Sequence, residues 1–201
     1  MTDGKRPALF PVPFLIVEVS LRPTNRRPTN ERGRKFMPIY FFRHAEAYQI
    51  GEEGIQSDEE RFLTPKGRKT TEKVCRGLIC MGVTGGRMWY SPLVRARETA
   101  EIASVLLGIS GSEVKGGLAH LEEDPPLFES LNDQDPNTNL FLVGHQPYLG
   151  DWIGRLAAGV TGARIELAKS GVARVDPVPS GATPRGELRW ILTAKQLRKL
   201  S

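Results

Sequence analysis

The sequence predicts an α/β domain, specifically a three-layer α/β/α sandwich with a mostly parallel central sheet and helices on both faces. Three observations carry that expectation. From Pro38 onward, apolar runs of strand length alternate with segments of helical period. The runs Ile39 to Phe42 and Leu140 to Val143 are continuously apolar, as strands buried on both faces are. The chain has 201 residues, 39% hydrophobic, enough for one substantial domain with a core of ordinary size.

The elements follow in order. Residues 1–36 read as a basic Pro/Arg-rich extension that is disordered, because they hold Pro7, Pro11, Pro13, Pro23 and Pro28 and lack an apolar period after residue 20. Met37, directly before the first strand, is an alternative translation start, and the domain is expected over 37–201. Ile39 to Phe42 is a buried central strand ending at Arg43. Thr64-Pro65 supplies an N-cap with proline at the first helical position. In the helix that follows, Val74, Leu78 and Met81 line one side while Lys66, Lys69, Lys73 and Arg76 take the other. Met88 to Tyr90 is a second strand. Ser91-Pro92 caps a second helix, with Leu93, Ala96, Ala100, Ala103 and Leu107 on its buried face. Leu140 to Val143 is a third strand, ended by Gly144, and Tyr148 to Leu156 a third helix. Gly171 to Val175 and Glu187 to Leu192 are late strands, and Thr193 to Leu200 a closing helix.

Charge and cysteine content exclude several function classes. The formal net charge of +5 lies wholly in residues 1–36, where eight Lys and Arg face three Asp and Glu; the other 165 residues balance. A basic arm touching nucleic acid is therefore disfavoured against a solvated tail. Cys75 and Cys80, the two cysteines, are too few and too close for a disulfide framework, which suits reduced thiols in the cytoplasm. The longest apolar candidate, Ala8 to Val17, is interrupted by Pro11 and Pro13, so neither a membrane span nor an export signal is expected.

Three predicted strands end in reactive polar residues: Arg43-His44, Ser91 with Arg95, and Gly144-His145. In open α/β sheets, side chains launched from the carboxyl ends of parallel strands converge on one crevice. Two histidines and two arginines would meet there. A neutral imidazole attacks phosphorus with one ring nitrogen while the other, held as N–H, fixes tautomer and aim. Guanidinium groups offer planar, permanently charged donors to phosphoryl oxygens. Nearby arginines should keep His44 unprotonated, and the start of the second helix adds an anion-binding terminus.

These residues resemble the histidine phosphatase (phosphoglycerate mutase-like) superfamily. Phe42-Arg43-His44-Ala45-Glu46 resembles its R-H-G or R-H-A motif. Ser91-Pro92-Leu93-Val94-Arg95-Ala96-Arg97-Glu98-Thr99-Ala100 resembles its serine-led second motif, and Gly144-His145-Gln146-Pro147 matches G-H-x-P. Arg61-Phe62-Leu63-Thr64-Pro65-Lys66-Gly67, with the closing Leu188 to Thr193 and Lys195-Gln196-Leu197, brings it nearest the small SixA-like phosphohistidine phosphatases. The likeness spans about Pro38 to Leu200. It implies that His44 is the nucleophile, transiently phosphorylated, with Arg43, Arg95 and His145 catalytic alongside it. Arg43, Arg95, His145 and Ser91 would bind phosphate.

The sequence departs from the larger relatives at the proton donor. They use a carboxylic acid from an insert or from an H-D or H-E pair, whereas Gln146 follows His145 here and the stretch from Arg95 to His145 is short. Glu46, Asp58, Glu122, Glu123 and Asp124 remain candidate acids, with Glu46 carried forward as the possible proton donor. A site without an evident acid suits phosphohistidine or aryl phosphates, whose leaving groups need less protonation than an alkoxide. The expected function is a metal-independent phosphohistidine phosphatase of cytoplasmic signal transduction, without cofactor. Its partner would be a phosphorylated protein, such as a histidine phosphotransfer domain, or a small phosphorylated substrate. The alternatives are a phosphatase for small phosphate esters, a non-catalytic phosphate- or phosphoprotein-binding module, and a regulator engaging nucleic acid through residues 1–36.

Other motifs fall away. Cys80 to Arg87 has six intervening residues where a cysteine phosphatase loop has five, no nucleotide-binding glycine motif occurs, and His44, His120 and His145 lack metal-ligand spacing.

Overall fold

The computed structural model describes residues 37–119, 129–135, 137–178 and 184–201. The disorder expected over 1–36 lies outside the described residues, as do His120, Glu122, Glu123 and Asp124. Six strands form one sheet: β1 (Ile39–Arg43), β2 (Gly86–Tyr90), β3 (Ile109–Val114), β4 (Leu140–Gly144), β5 (Val172–Val178) and β6 (Arg185–Leu192). Their order is β3-β2-β4-β1-β5-β6. β3, β2, β4 and β1 run parallel; β5 is antiparallel to β1, and β6 to β5. Among the described residues the α-helices are α1 (Pro65–Cys80), α2 (Val94–Leu107), α3 (Tyr148–Ala158) and the single turn α4 (Ala194–Leu197).

Strand alternation separates two cores, which is the physical basis of the three layers. Ile39 and Phe41 of β1, with Leu140 and Leu142 of β4, pack against Leu149, Trp152, Ile153 and Leu156 of α3. Tyr40, Phe42, Phe141 and Val143 point the other way, against Val74 and Leu78 of α1, the alanines of α2 and Leu197 of α4. Phe41, Phe42 and Phe141 are completely buried, and each contributes about 2–3 kcal/mol through area removed from water.

The predicted elements from β1 to α3 are found within a residue or two, except at the second helix. α2 begins at Val94, with Leu93 at the N-cap position and no side-chain cap. Ser91 is committed elsewhere, as shown below. β3 is a strand that the sequence did not announce: five of its six residues are exposed, and Ile-Ser-Gly-Ser-Glu-Val has no apolar run because it forms a sheet edge. The closing helix is shorter than expected, with Thr193 and Gln196 forming a reciprocal cap at its start.

α1 starts as the Thr64-Pro65 pair predicts. The Thr64 hydroxyl accepts the Gly67 N–H at 2.9 Å. Gly67 itself lies against the main chain behind β1: a Cβ there would sit 2.1 Å from the Glu46 carbonyl oxygen. Only glycine permits that approach, which seats α1 on the loop carrying His44. Among the described residues, no helix is long and apolar enough to cross a membrane.

Candidate active site

Sheet register brings the three predicted strand ends together. Arg43 pairs with Gly144, and Tyr90 with Val143. The ladder continues one step beyond the strands: the His44 N–H donates to the Gly144 carbonyl at 3.0 Å, and the Ser91 N–H to the Val143 carbonyl at 3.0 Å. His44 and His145 therefore lie side by side, ring centroids 4.9 Å apart.

His44 is 6% exposed. Its Nδ1–H donates to the Ala45 carbonyl at 2.7 Å, because a carbonyl can only accept. That bond leaves Nε2 with the lone pair. Burial pushes the imidazole pKa down to about 3, helped by His145 and then by Arg95 and Arg43, against the opposing hydrogen bond to Ala45. The arginines act in the expected direction, but burial is the larger cause.

Each arginine is anchored at its far end. Arg43 Nη1 donates to the Leu167 carbonyl at 2.7 Å, in the loop between α3 and β5. Arg95, on the first turn of α2, donates from Nη1 to the Asp58 carbonyl at 2.6 Å and from Nη2 to Asp58 Oδ2 at 2.8 Å. In both, Nε is buried and has no protein partner among the described residues. Buried N–H groups are seldom left unmatched. The charges of both guanidinium groups reach the His44 ring and lower its pKa.

Ser91 lies beside His145. Its hydroxyl lies 2.8 Å from His145 Nε2 and accepts the Leu93 N–H at 3.3 Å, so it supports the His145 ring. The start of α2 is also partly occupied, since the Val94 N–H reaches the Glu59 carbonyl at 3.4 Å.

The two candidate acids within the described residues are both held as carboxylates. Glu46 is bonded by Lys66 Nζ at 2.8 Å and by the Thr64 hydroxyl at 3.2 Å. The Lys66 hydrogen bond leads in lowering its pKa, and the site's imidazoles do not figure among its partners. For Asp58, burial pushes the pKa up, but hydrogen bonds and charge from Arg61 and Arg95 outweigh it and the net shift is downward. Gln146, where larger relatives place an acid, donates to the Ile165 carbonyl at 2.8 Å and accepts the Gly150 N–H at 3.2 Å.

Four supports were not singled out from sequence. The Thr99 hydroxyl accepts the Ala45 N–H at 3.1 Å and donates to the Arg95 carbonyl at 2.7 Å, joining the two arginine-bearing elements. Glu98 accepts the Leu63 N–H at 2.7 Å and Arg68 Nη2 at 2.5 Å. The Leu167 carbonyl holds Arg43. Ser170, fully buried at φ +57°, donates its N–H to the His44 carbonyl at 3.2 Å. The Glu98-Thr99 pair was visible as part of the second motif; the other two carried no local signal.

Comparison with known proteins agrees with this fold. The family model of the histidine phosphatase superfamily (branch 1) matches residues 39–119. An uncharacterised protein of Picosynechococcus sp. (strain PCC 7002) is 37% identical over 142 residues, covering 68% of this chain and 82% of that protein. Among solved structures, the protein histidine phosphatase SixA complexed with tungstate superposes with a TM-score of 0.68 at 22% identity, covering 80% of this chain and 99% of that one. Phosphoserine phosphatase from Entamoeba histolytica, in complex with 3-phosphoglyceric acid, gives 0.59 at 17% identity, covering 81% and 100%. With the motif residues gathered at the carboxyl ends of β1, β2 and β4, the fold shared and the family model matched across the first two motifs, the chain belongs to the histidine phosphatase superfamily.

Proposed function

We propose that the protein is a phosphatase that removes phosphate from phosphohistidine in proteins through a phosphorylated His44. The observation that carries this reading is the pair of buried, unmatched Nε–H groups of Arg43 and Arg95 beside a neutral imidazole whose Nδ1–H is pinned. In the first step the Nε2 lone pair of His44 forms a bond to phosphorus while the bond from phosphorus to the leaving nitrogen breaks. The leaving imidazole, already protonated on its other ring nitrogen, departs as the neutral ring with the electron pair of the broken P–N bond. In the second step water attacks phosphorus, the Nε2–P bond breaks, and inorganic phosphate leaves. The guanidinium donors and the His145 ring stabilise the charge on the phosphoryl oxygens in both transition states. The two guanidinium groups bring fixed positive charge to those oxygens.

The state of the two candidate acids within the described residues supports the choice of substrate. Glu46 and Asp58 are both ionised and engaged with cations, so neither is poised to protonate a departing alkoxide. Imidazole and aryl oxides leave without that help. The test is a comparison of a phosphohistidine peptide, an aryl phosphate and an alkyl phosphate with one preparation. The expected order of kcat/KM is phosphohistidine, then aryl, then alkyl, and a preference for the alkyl ester would overturn the assignment.

A further inference from the structure

We infer that Asp58 is a positioning residue that selects which edge of Arg95 meets the phosphoryl group; this rests on the proposed phosphatase site. A guanidinium can grip an oxyanion through its two terminal nitrogens or through Nε and one of them. In Arg95 the terminal edge is taken, since Nη1 donates to the Asp58 carbonyl at 2.6 Å and Nη2 to its Oδ2 at 2.8 Å. The remaining edge carries the buried Nε–H that has no protein partner among the described residues. The pairing is lopsided: the Arg95 side chain is 7% exposed and that of Asp58 48%, so a rim residue fixes a buried one.

Asp58 is itself braced. Arg61 Nη1 donates to its other oxygen, Oδ1, at 2.8 Å, and Arg61 Nε donates to the Tyr48 carbonyl at 2.7 Å. The chain from Tyr48 through Arg61 and Asp58 to Arg95 ties the loop between β1 and α1 to the first turn of α2. Asp58 does not touch the reacting atoms; it acts through Arg95. Arg61 of the Arg-Phe-Leu-Thr-Pro-Lys-Gly run thereby acquires a role in the site without facing it.

A double-mutant cycle reads this directly. With p-nitrophenyl phosphate, Asp58→Ala should lower kcat/KM by about 10–100-fold when Arg95 is present, and by less than about threefold in the Arg95→Lys background, whose ammonium has no fork to aim. Asp58→Asn, which keeps one acceptor oxygen for Arg95 but turns its amide NH2 toward Arg61, should fall between the unmodified protein and Asp58→Ala. Titrating the same proteins with tungstate by calorimetry should give the same non-additivity without any turnover. An equal loss from Asp58→Ala in both backgrounds, or no loss in either, would overturn the assignment. If the unmodified protein bound tungstate but hydrolysed no phosphate compound, the phosphatase reading would fall, and the calorimetric cycle would still decide the role of Asp58.

Discussion

Burial of the His44 ring, 6% exposed, lowers its pKa to about 3 ahead of the effects of His145, Arg95 and Arg43. The consequence reaches beyond catalysis, because an unfolded imidazole titrates near 6.5. Between pH 6.5 and 3 the unfolded chain binds a proton that the folded chain refuses, so folding stability rises with pH across that window. The contribution is complete above pH 6.5 and is lost as pH falls toward 3, roughly 3–5 kcal/mol in all. Replacing His44 by Asn removes this linkage. Urea melts should show the unmodified protein losing about 2–3 kcal/mol more than His44→Asn between pH 7 and pH 4.5; equal losses would mean that the ring is protonated in the folded state. Of the individual residues, Arg43, His44, Arg95 and His145 were legible as motifs at strand ends, and the sheet does bring them together. Ser91 was legible only as a member of the set, because its partner, His145, lies 54 residues away. The anchors of the arginines were not legible. Arg43 is held by a main-chain carbonyl 124 residues distant, and a carbonyl leaves no mark in a sequence.

At the scale of elements, the site depends on how α1 meets the loop after β1. Gly67 allows the first turn of α1 to lie against the Glu46 main chain, and the Thr64 N–H bonds the Glu46 carbonyl at 3.0 Å. A methyl group at position 67 would collide with backbone, which cannot yield as a flexible side chain can. Gly67→Ala should therefore destabilise the fold by about 2 kcal/mol or more and lower turnover through displacement of the His44 loop. Thermal melts and kcat/KM together check this, and wild-type values for both would show the contact to be dispensable. The strongly periodic and strongly apolar elements were readable: β1 and β4 from their unbroken apolar runs, α1 from its cap and stripe. β3 was not, since an edge strand buries too little to leave a pattern. The start of α2 was misplaced because serine before proline has the chemistry of a cap, while here its hydroxyl serves His145.

Across the whole molecule, the two cores explain why three distant segments can deliver one site. β2, β4 and β1 are neighbours in space though not in sequence, and both their faces are covered by helices. Their carboxyl ends are thereby fixed to the same level, and the ladder is extended by the His44 and Ser91 N–H groups. Sheet register alone therefore sets Arg43, His44, Ser91 and His145 at one end of the sheet. Covalent phosphorylation of His44 can be trapped by rapid quenching during turnover of a radiolabelled phosphate substrate, followed by peptide mapping. One label per chain is expected on His44, stable in alkali, lost in acid and absent from His44→Ala. Label on another residue, or unimpaired turnover by His44→Ala, would contradict it.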